Sequence, residues 1–545
     1  MDTFVRDRLP PPALWPVMDF GGVPELGAYP ARFNCAIELL DRMVEAGHRD
    51  RPVLHFGDAV WSYARLKDTA DRIARVLTED MGVRPGNRVL LRGTNTPMLT
   101  ACWFAVVKAG GVVVATMPLL RAGELAYVID KAEIGFALCH DAWIEELELA
   151  RAEAPRLAHV LTYTAGGDGD GSLERAMAKK PSGFNAADTA ADDPMMIAFT
   201  SGTTGKPKGT VHFHRDVLAI CDTFARHVYR VEPDDIFVGS PPLGFTFGLG
   251  ALVTFPMRFG ASSVMVEAFG PTTMLETVER YRVTGMYTAP TAYRAMVSQA
   301  ADAELSSLRK CVSAGEHLPP PTWEAWRDAT GIRIIDGIGA TEMLHIFISA
   351  AGDDIRPGAT GRAIPGYRAR VVDTDGNPVS AGEQGWLAVQ GPTGCRYLDD
   401  PDRQRGYVKD GWNITGDIFR ADENGYFWYV ARGDDMIISA GYNISGPEVE
   451  DCLLAHPDVA ECAVIGAPDI ERGSIVRAYV VLGEGAEPDE AATRALQDFV
   501  KAEIAPYKYP RSIVYRDKLP RTETGKLQRF KLRQEAMAEF EESRT

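Results

Sequence analysis

No stretch of the 545-residue chain reaches the ~18 consecutive apolar residues that suggest a membrane-spanning helix. The most apolar region, ACWFAVVKAGGVVVATMPLL (101–120), is broken by Lys108, Gly110 and Gly111, and reads as a buried helix followed by a buried strand. The amino terminus, MDTFVRDRLPPP, lacks the ~7–15-residue apolar core of a secretory signal, so no export is implied and the cytoplasm is the expected compartment. The eight cysteines form no C-x-x-C pair and no Cys/His cluster at metal-ligand spacing, which predicts reduced thiols rather than a disulfide framework or a zinc site. Basic residues are outnumbered, 58 against 75 acidic, and the net charge of −17 opposes nonspecific attraction to nucleic acid or anionic lipid. Any small polyanion must therefore be met by a local positive site. No repeat of fixed period is present, which argues against solenoids and propellers.

What the chain does have is ordinary globular material, 46% hydrophobic and 24% charged, long enough for roughly three or four domains or one multi-lobed body with an appendage. Helix-period and strand-like segments alternate: SYARLKDTADRIARVL, NRVLLRG, PMLTACWFAVVKAG and GVVVATM in succession predict parallel strands covered by helices, an α/β architecture. TAGGDGDGS (164–172) reads as a surface loop within this part. After about residue 430 the texture changes. PEVEDCLLAHP begins with a proline suited to a first helical turn, ECAVIG and VRAYVVL read as strands, and DEAATRALQDFVKAEI reads as a helix, together an α+β domain of about 110 residues. Its end, RDKLPRTETGKLQRFKLR (516–533), carries seven basic and two acidic residues, an expected positive surface in an acidic chain.

The sharpest local signal is TSGTTGKPKG (200–209), directly after the apolar segment MMIAF. Glycines let backbone N–H groups approach phosphate oxygens, hydroxyls donate further bonds, and Lys206 and Lys208 supply positive charge. It is not a Walker A loop, because only two residues separate Gly202 from Gly205 where that pattern needs four. A flexible hydroxyl-rich loop is the bland alternative. The run instead resembles the signature loop of the adenylate-forming superfamily, which includes acyl-CoA synthetases, peptide-synthetase adenylation domains and firefly luciferase. Further motifs of that family follow in its order: Ser313-Ala-Gly-Glu316, Asp336-Gly-Ile-Gly-Ala-Thr-Glu342, Thr415-Gly-Asp417, Arg432-Gly-Asp-Asp435, Ser439-Ala-Gly-Tyr-Asn443 and Pro520-Arg-Thr-Glu-Thr-Gly-Lys526.

The resemblance implies two parts: an N-terminal AMP-binding and acyl-binding domain, 1–433, built of subdomains with parallel sheets covered by helices, and a small mobile α+β C-terminal domain, 434–545, hinged at Asp434. It implies that Thr200, Ser201, Gly202, Thr203, Thr204, Gly205 and Lys206 hold the β and γ phosphates of ATP. Ser313, Ala314, Gly315 and Glu316 would pack beside the adenine, with Asp336, Gly337 and Ile338 next to it. Thr341 would contact the α-phosphate, Glu342 would hold Mg²⁺, and Asp417 with Arg432 would meet the ribose. Oxygen ligands suit a hard divalent ion, and a carboxylate accepts both hydrogen bonds of a vicinal diol. Lys526 would bridge carboxylate and α-phosphate during adenylation. Ser439, Gly441 and Tyr442 would approach the thiol of coenzyme A after the small domain has turned.

The implied activity is ATP-dependent activation of a carboxylic acid to an acyl adenylate, then a thioester. No L-G-G-x-S carrier site is present, so free coenzyme A is the expected acceptor, with loading of a separate carrier protein as the alternative. PPLGFTFGLG (241–250) should line the acyl pocket. Where amino-acid-activating relatives place an acidic residue, this chain has Phe245; an α-ammonium buried without a partner is costly, so α-amino acids are disfavoured. Phe245, Phe247 and Gly248 suit an aromatic ring or an alkyl chain. DGIGATEMLHIFISA (336–350), the start DTFVRDRLPPPALWP and the run APYKYPR (505–511) resemble the aryl-CoA ligase branch, benzoate and 2-aminobenzoate ligases in particular, with Ile338 and His345 near the substrate. A medium-chain fatty acid is the alternative substrate. A nucleotide-binding protein without catalysis is disfavoured by the joint presence of Glu342, Asp417, Arg432 and Lys526. A homo-oligomer is left open.

Overall fold

A computed structural model describes residues 1–200, 207–433, 435–439, 442–469, 472–504, 506–521 and 527–542, and the counts and absences given for the structure are of these residues. Two large sheets form the N-terminal body. In the first, six strands run in the order His159–Tyr163, Phe136–His140, Arg88–Arg92, Val112–Thr116, Pro194–Thr200 and Lys208–Phe213, all parallel until the last pair, which is an antiparallel hairpin. In the second, six parallel neighbours, from Ile334–Gly339 across Lys310–Ser313, Gly285–Thr288, Ile236–Gly239 and Ser262–Val264 to Pro52–Phe56, are flanked by antiparallel edges, making nine strands.

The apolar run at 101–120 shows why the chain folds so. Helix Pro97–Lys108 begins at Thr96, whose hydroxyl accepts from Leu99 N at 3.2 Å, and every residue in it is buried. Strand Val112–Thr116 follows between two parallel neighbours, the place for a continuous β-branched run. Lys108 is tolerated in this helix because its ammonium lies 2.7 Å from Asp41 and 2.6 Å from Asp71, carboxylates from the two neighbouring helical segments. Buried charge requires such pairing. Ahead of it, helix Tyr63–Arg75 is capped by Ser62 and buries Leu66, Ala70, Ile73 and Ala74 on one face. The segment 164–172 is a loop up to Gly171, and Ser172 opens the short helix Ser172–Met177.

A third, antiparallel sheet of five strands (Arg368–Val372, Gln384–Gln390, Val408–Lys409, Trp412–Ala421 and Phe427–Arg432) completes the body. The smaller C-terminal domain has its own cores, built on the antiparallel pair Val459–Asp469 and Gly473–Leu482 with Ser512–Tyr515 added in parallel, and on helices Gly446–Leu454, Glu490–Glu503 and Arg529–Glu542. Ser445 caps the first of these helices and Pro447 follows in its first turn. No helix is long and apolar enough to cross a membrane. All eight cysteines are buried and unpaired.

One expectation is narrowed. The four arginines of the basic segment 516–533 are paired with acidic residues elsewhere in the C-terminal part, which reduces its positive excess: Arg516 meets Glu535 at 2.9 Å, Arg521 meets Glu461 at 2.8 Å, Arg529 meets Glu450 at 2.6 Å, and Arg533 pairs with Asp435. A linear charge count misses partners supplied by the fold.

Candidate active site

The hydroxyl- and glycine-rich loop joins the two strands of a hairpin in which Thr200 lies opposite Lys208. The chain thus returns from the loop as a strand. Ser201, Gly202, Thr203, Thr204, Gly205 and Lys206 lie outside the described residues, as do Asp434, Gly441 and Lys526; Tyr442 is described in its backbone alone. At the edge of the loop, Thr200 Oγ1 is buried without a hydrogen-bond partner among the described residues.

Behind it stands a buried carboxylate. Strand Ile334–Gly339 turns through Thr341–Met343 into the antiparallel strand Ile346–Ser349, which puts Thr341 and Glu342 at the tip of a hairpin. Gly339 is required there, since a β-carbon would lie 2.7 Å from the His345 carbonyl oxygen. Glu342 Oε1 receives Lys208 Nζ at 2.5 Å and the Tyr397 hydroxyl at 2.6 Å, and Lys208 also donates to that hydroxyl at 2.8 Å. Burial opposes ionisation of Glu342, but the Lys208 charge and the bonds from Lys208 and Tyr397 outweigh it and hold the carboxyl below its usual range. The hard carboxylate oxygens of Glu342 are of the kind a magnesium ion takes, and such an ion would offset phosphate charge.

Ser313 and Asp336 are paired neighbours at the carboxyl ends of parallel strands, the edge at which open α/β sheets bind ligands. Ser313 Oγ and Asp336 Oδ1 are both shut from solvent without partners. Burial pushes Asp336 up to about 7, against the opposing influence of His317, the Gly337 N–H and Thr360. Ala314 is buried, Gly315 turns with positive φ, and Glu316 accepts from the Thr291 hydroxyl at 2.7 Å. Gly337 and Ile338 continue the strand from Asp336. On the third sheet, Asp417 and Arg432 face each other across neighbouring strands at 3.0 Å. Burial raises Asp417, Arg432 partly offsets this, and the charge of Glu342 adds to it, so Asp417 lies within electrostatic reach of Glu342.

The acyl-pocket candidates separate. Phe247, in the short helix Thr246–Leu249 with Gly248, has its ring 5.6 Å from His345 and 6.1 Å from Tyr287. His345 also meets Phe255 at 4.4 Å and Phe224 at 5.7 Å. Burial pulls His345 down to about 3, so the ring is neutral; the Phe247 backbone pulls weakly the other way, yet neither ring nitrogen has a partner at hydrogen-bonding geometry. Phe245 precedes the helix and takes no part in this ring cluster; Ile338 is half-buried and packs against the same core. Ser439 is buried with its hydroxyl unpartnered. Sequence reasoning missed Tyr397, Tyr407, Phe224, Phe255 and Tyr287, none of which stands in a motif; the pairing of the segment Arg396–Leu398 with the loop hairpin brings Tyr397 to Glu342.

The profile of the AMP-binding enzyme family matches residues 41–396, and that of the AMP-binding enzyme C-terminal domain matches 448–526. The chain belongs to the AMP-binding enzyme family. It is 34% identical over 523 residues to a benzoate–CoA ligase of Thauera aromatica, covering 95% of this chain and 99% of the relative. Among solved structures, an anthranilate CoA ligase in complex with anthranoyl-AMP aligns with TM-score 0.89 and 34% identity over 94% of this chain and 99% of that one. A benzoate CoA ligase from Burkholderia xenovorans LB400 aligns with TM-score 0.84 and 31% identity over 92% and 100%. This adenylate-forming enzyme therefore shares fold and domain content with aryl-CoA ligases along nearly its whole length.

Proposed function

We propose that this AMP-forming acid–thiol ligase takes an aromatic carboxylic acid of the benzoate or 2-aminobenzoate type and free coenzyme A, in the cytoplasm. The observation that carries the reading is the ring cluster of Phe247, His345, Phe255, Phe224 and Tyr287, which is aromatic, neutral and without an acidic residue to hold an α-ammonium. The printed substrates of the benzoate and anthranilate relatives support it. A planar ring stacks well against such walls, and an anthranilate amine, weakly basic, needs no counter-charge.

In the first step a carboxylate oxygen attacks the α-phosphorus of ATP and pyrophosphate leaves. The protein contributes position and charge rather than covalent chemistry. Hydroxyls of Thr200 and Thr341 face the phosphates, Asp417 receives the ribose diol, Glu342 is the carboxylate that would hold Mg²⁺, and Lys526 bridges the reacting oxygens. In the second step the thiol attacks the acyl carbon and AMP leaves. For that, the domain beginning at 434 turns about Asp434, exchanging Lys526 for the segment of Ser439, Gly441 and Tyr442. Contacts that such a turn would break include the bonds Arg294 donates to the carbonyls of Val459 and Ala460 at 2.8 Å each, His317 with Asp451 at 3.0 Å, and Arg521 with Thr291 at 3.3 Å and Glu316 at 3.7 Å.

Acid-dependent exchange of labelled pyrophosphate into ATP tests the first step, and thioester formation with coenzyme A against a carrier protein tests the second. Exchange supported by benzoate or 2-aminobenzoate, with coenzyme A as acceptor, is expected. Exchange with neither acid, or acylation of the carrier alone, contradicts the reading.

A further inference from the structure

The ammonium of Lys208 is held by more than one bond. Besides Glu342 and the Tyr397 hydroxyl, it lies 5.0 Å from the Tyr397 ring centre and 5.8 Å from that of Tyr407, within the range of cation–π attraction. Glu342 is nearly enclosed, its side chain 7% exposed against 23% for Lys208. A carboxylate so enclosed needs a cation beside it to stay ionised. Lys208 itself stands opposite Thr200, at the base of the loop assigned to the phosphates. Its long stem lets the ammonium exchange the carboxylate for another anion nearby.

We propose that Lys208 is a displaceable placeholder for the divalent cation: it neutralises Glu342 while no nucleotide is bound, and gives up the carboxylate when a polyphosphate offers it a new partner. This rests on Glu342 as the metal ligand. Tyr397 is the fixed element of the exchange. Its segment is tied to the hairpin, through Val211 N to Arg396 O and Leu398 N to Gly209 O, and its hydroxyl donates to Glu342 beside Lys208. A metal approaching the nucleotide-free enzyme must first displace Lys208, so its affinity is low. Polyphosphate removes that competitor, and by linkage metal and nucleotide favour one another. The site thereby avoids both an unpaired buried carboxylate and a metal bound before its substrate.

The test is Mn²⁺ binding to the nucleotide-free full chain, read by the loss of the free-ion electron paramagnetic resonance signal. Wild type should bind weakly, Lys208→Met at least tenfold more tightly, and Lys208→Arg as weakly as wild type. The double variant Lys208→Met/Glu342→Gln should lose the gain. Lys208→Gln, whose amide keeps a hydrogen bond in the same space, serves if the methionine variant does not fold, with a gain of the same sign. Equal Mn²⁺ affinity of wild type and both uncharged variants overturns the placeholder. A gain that survives in the double variant overturns Glu342 as the ligand instead, so the two failures are distinguishable.

Discussion

At the residue scale, the candidate site holds polar atoms that the fold buries and does not satisfy. Thr200 Oγ1, Ser313 Oγ, Asp336 Oδ1 and both nitrogens of His345 are cases where a folded chain ordinarily supplies a partner. Asp336 gives a pH-dependent consequence. Its acid is raised from the usual carboxylate value to about 7, so between those two values the native state holds a proton that the unfolded state has released. Stability therefore falls as pH rises toward 7 and levels off above it. In Asp336→Asn that slope should vanish, and melting temperatures of the two proteins measured from pH 5 to pH 8 should diverge in favour of the variant as pH rises. Parallel profiles would mean that the carboxyl titrates normally.

At the element scale, secondary structure decides which residues can touch. Gly250 begins the helical turn after Thr246–Leu249, and a β-carbon there would lie 2.3 Å from His345 Cδ2 and 3.2 Å from the Phe255 ring. Gly250→Ala should force the imidazole into the acyl pocket, raising KM for the acid severalfold while KM for ATP stays within twofold; steady-state kinetics with each substrate varied in turn checks this. Away from the site, Lys108 joins its helix to Asp41 and Asp71. Buried pairs broken from one side cost ~3–5 kcal/mol, and because Lys67 still meets both carboxylates, Lys108→Met should cost about 3 kcal/mol in urea unfolding. These elements were largely legible in the sequence. The helices Tyr63–Arg75 and Pro97–Lys108, the continuous run of Val112–Thr116 and the change of texture near 430 each follow from local rules. The pairing of the arginines of 516–533 did not, because their acidic partners Glu450, Glu461 and Glu535 come from other elements. Tyr397 was hidden for the same reason, lying 55 residues beyond Glu342 and outside every motif.

At the scale of the whole molecule, motif order carried the functional reading further than any one residue could, since Glu342, Asp417 and Lys526 alone are ordinary surface types. The domain exchange has its own signature. Lys526→Ala should lower adenylate formation by at least a hundredfold while thioester formation from supplied acyl adenylate stays within about fivefold of wild type, in keeping with the loss of one positioned charge. Equal loss in both half-reactions would mean that one domain arrangement serves both. The central claim is that the acid is aromatic, and kcat/KM for coenzyme A thioester formation with 2-aminobenzoate, benzoate, salicylate and a medium-chain fatty acid measures it directly. At least a tenfold preference for 2-aminobenzoate or benzoate over the fatty acid is the predicted result; a preference for the fatty acid would contradict the account.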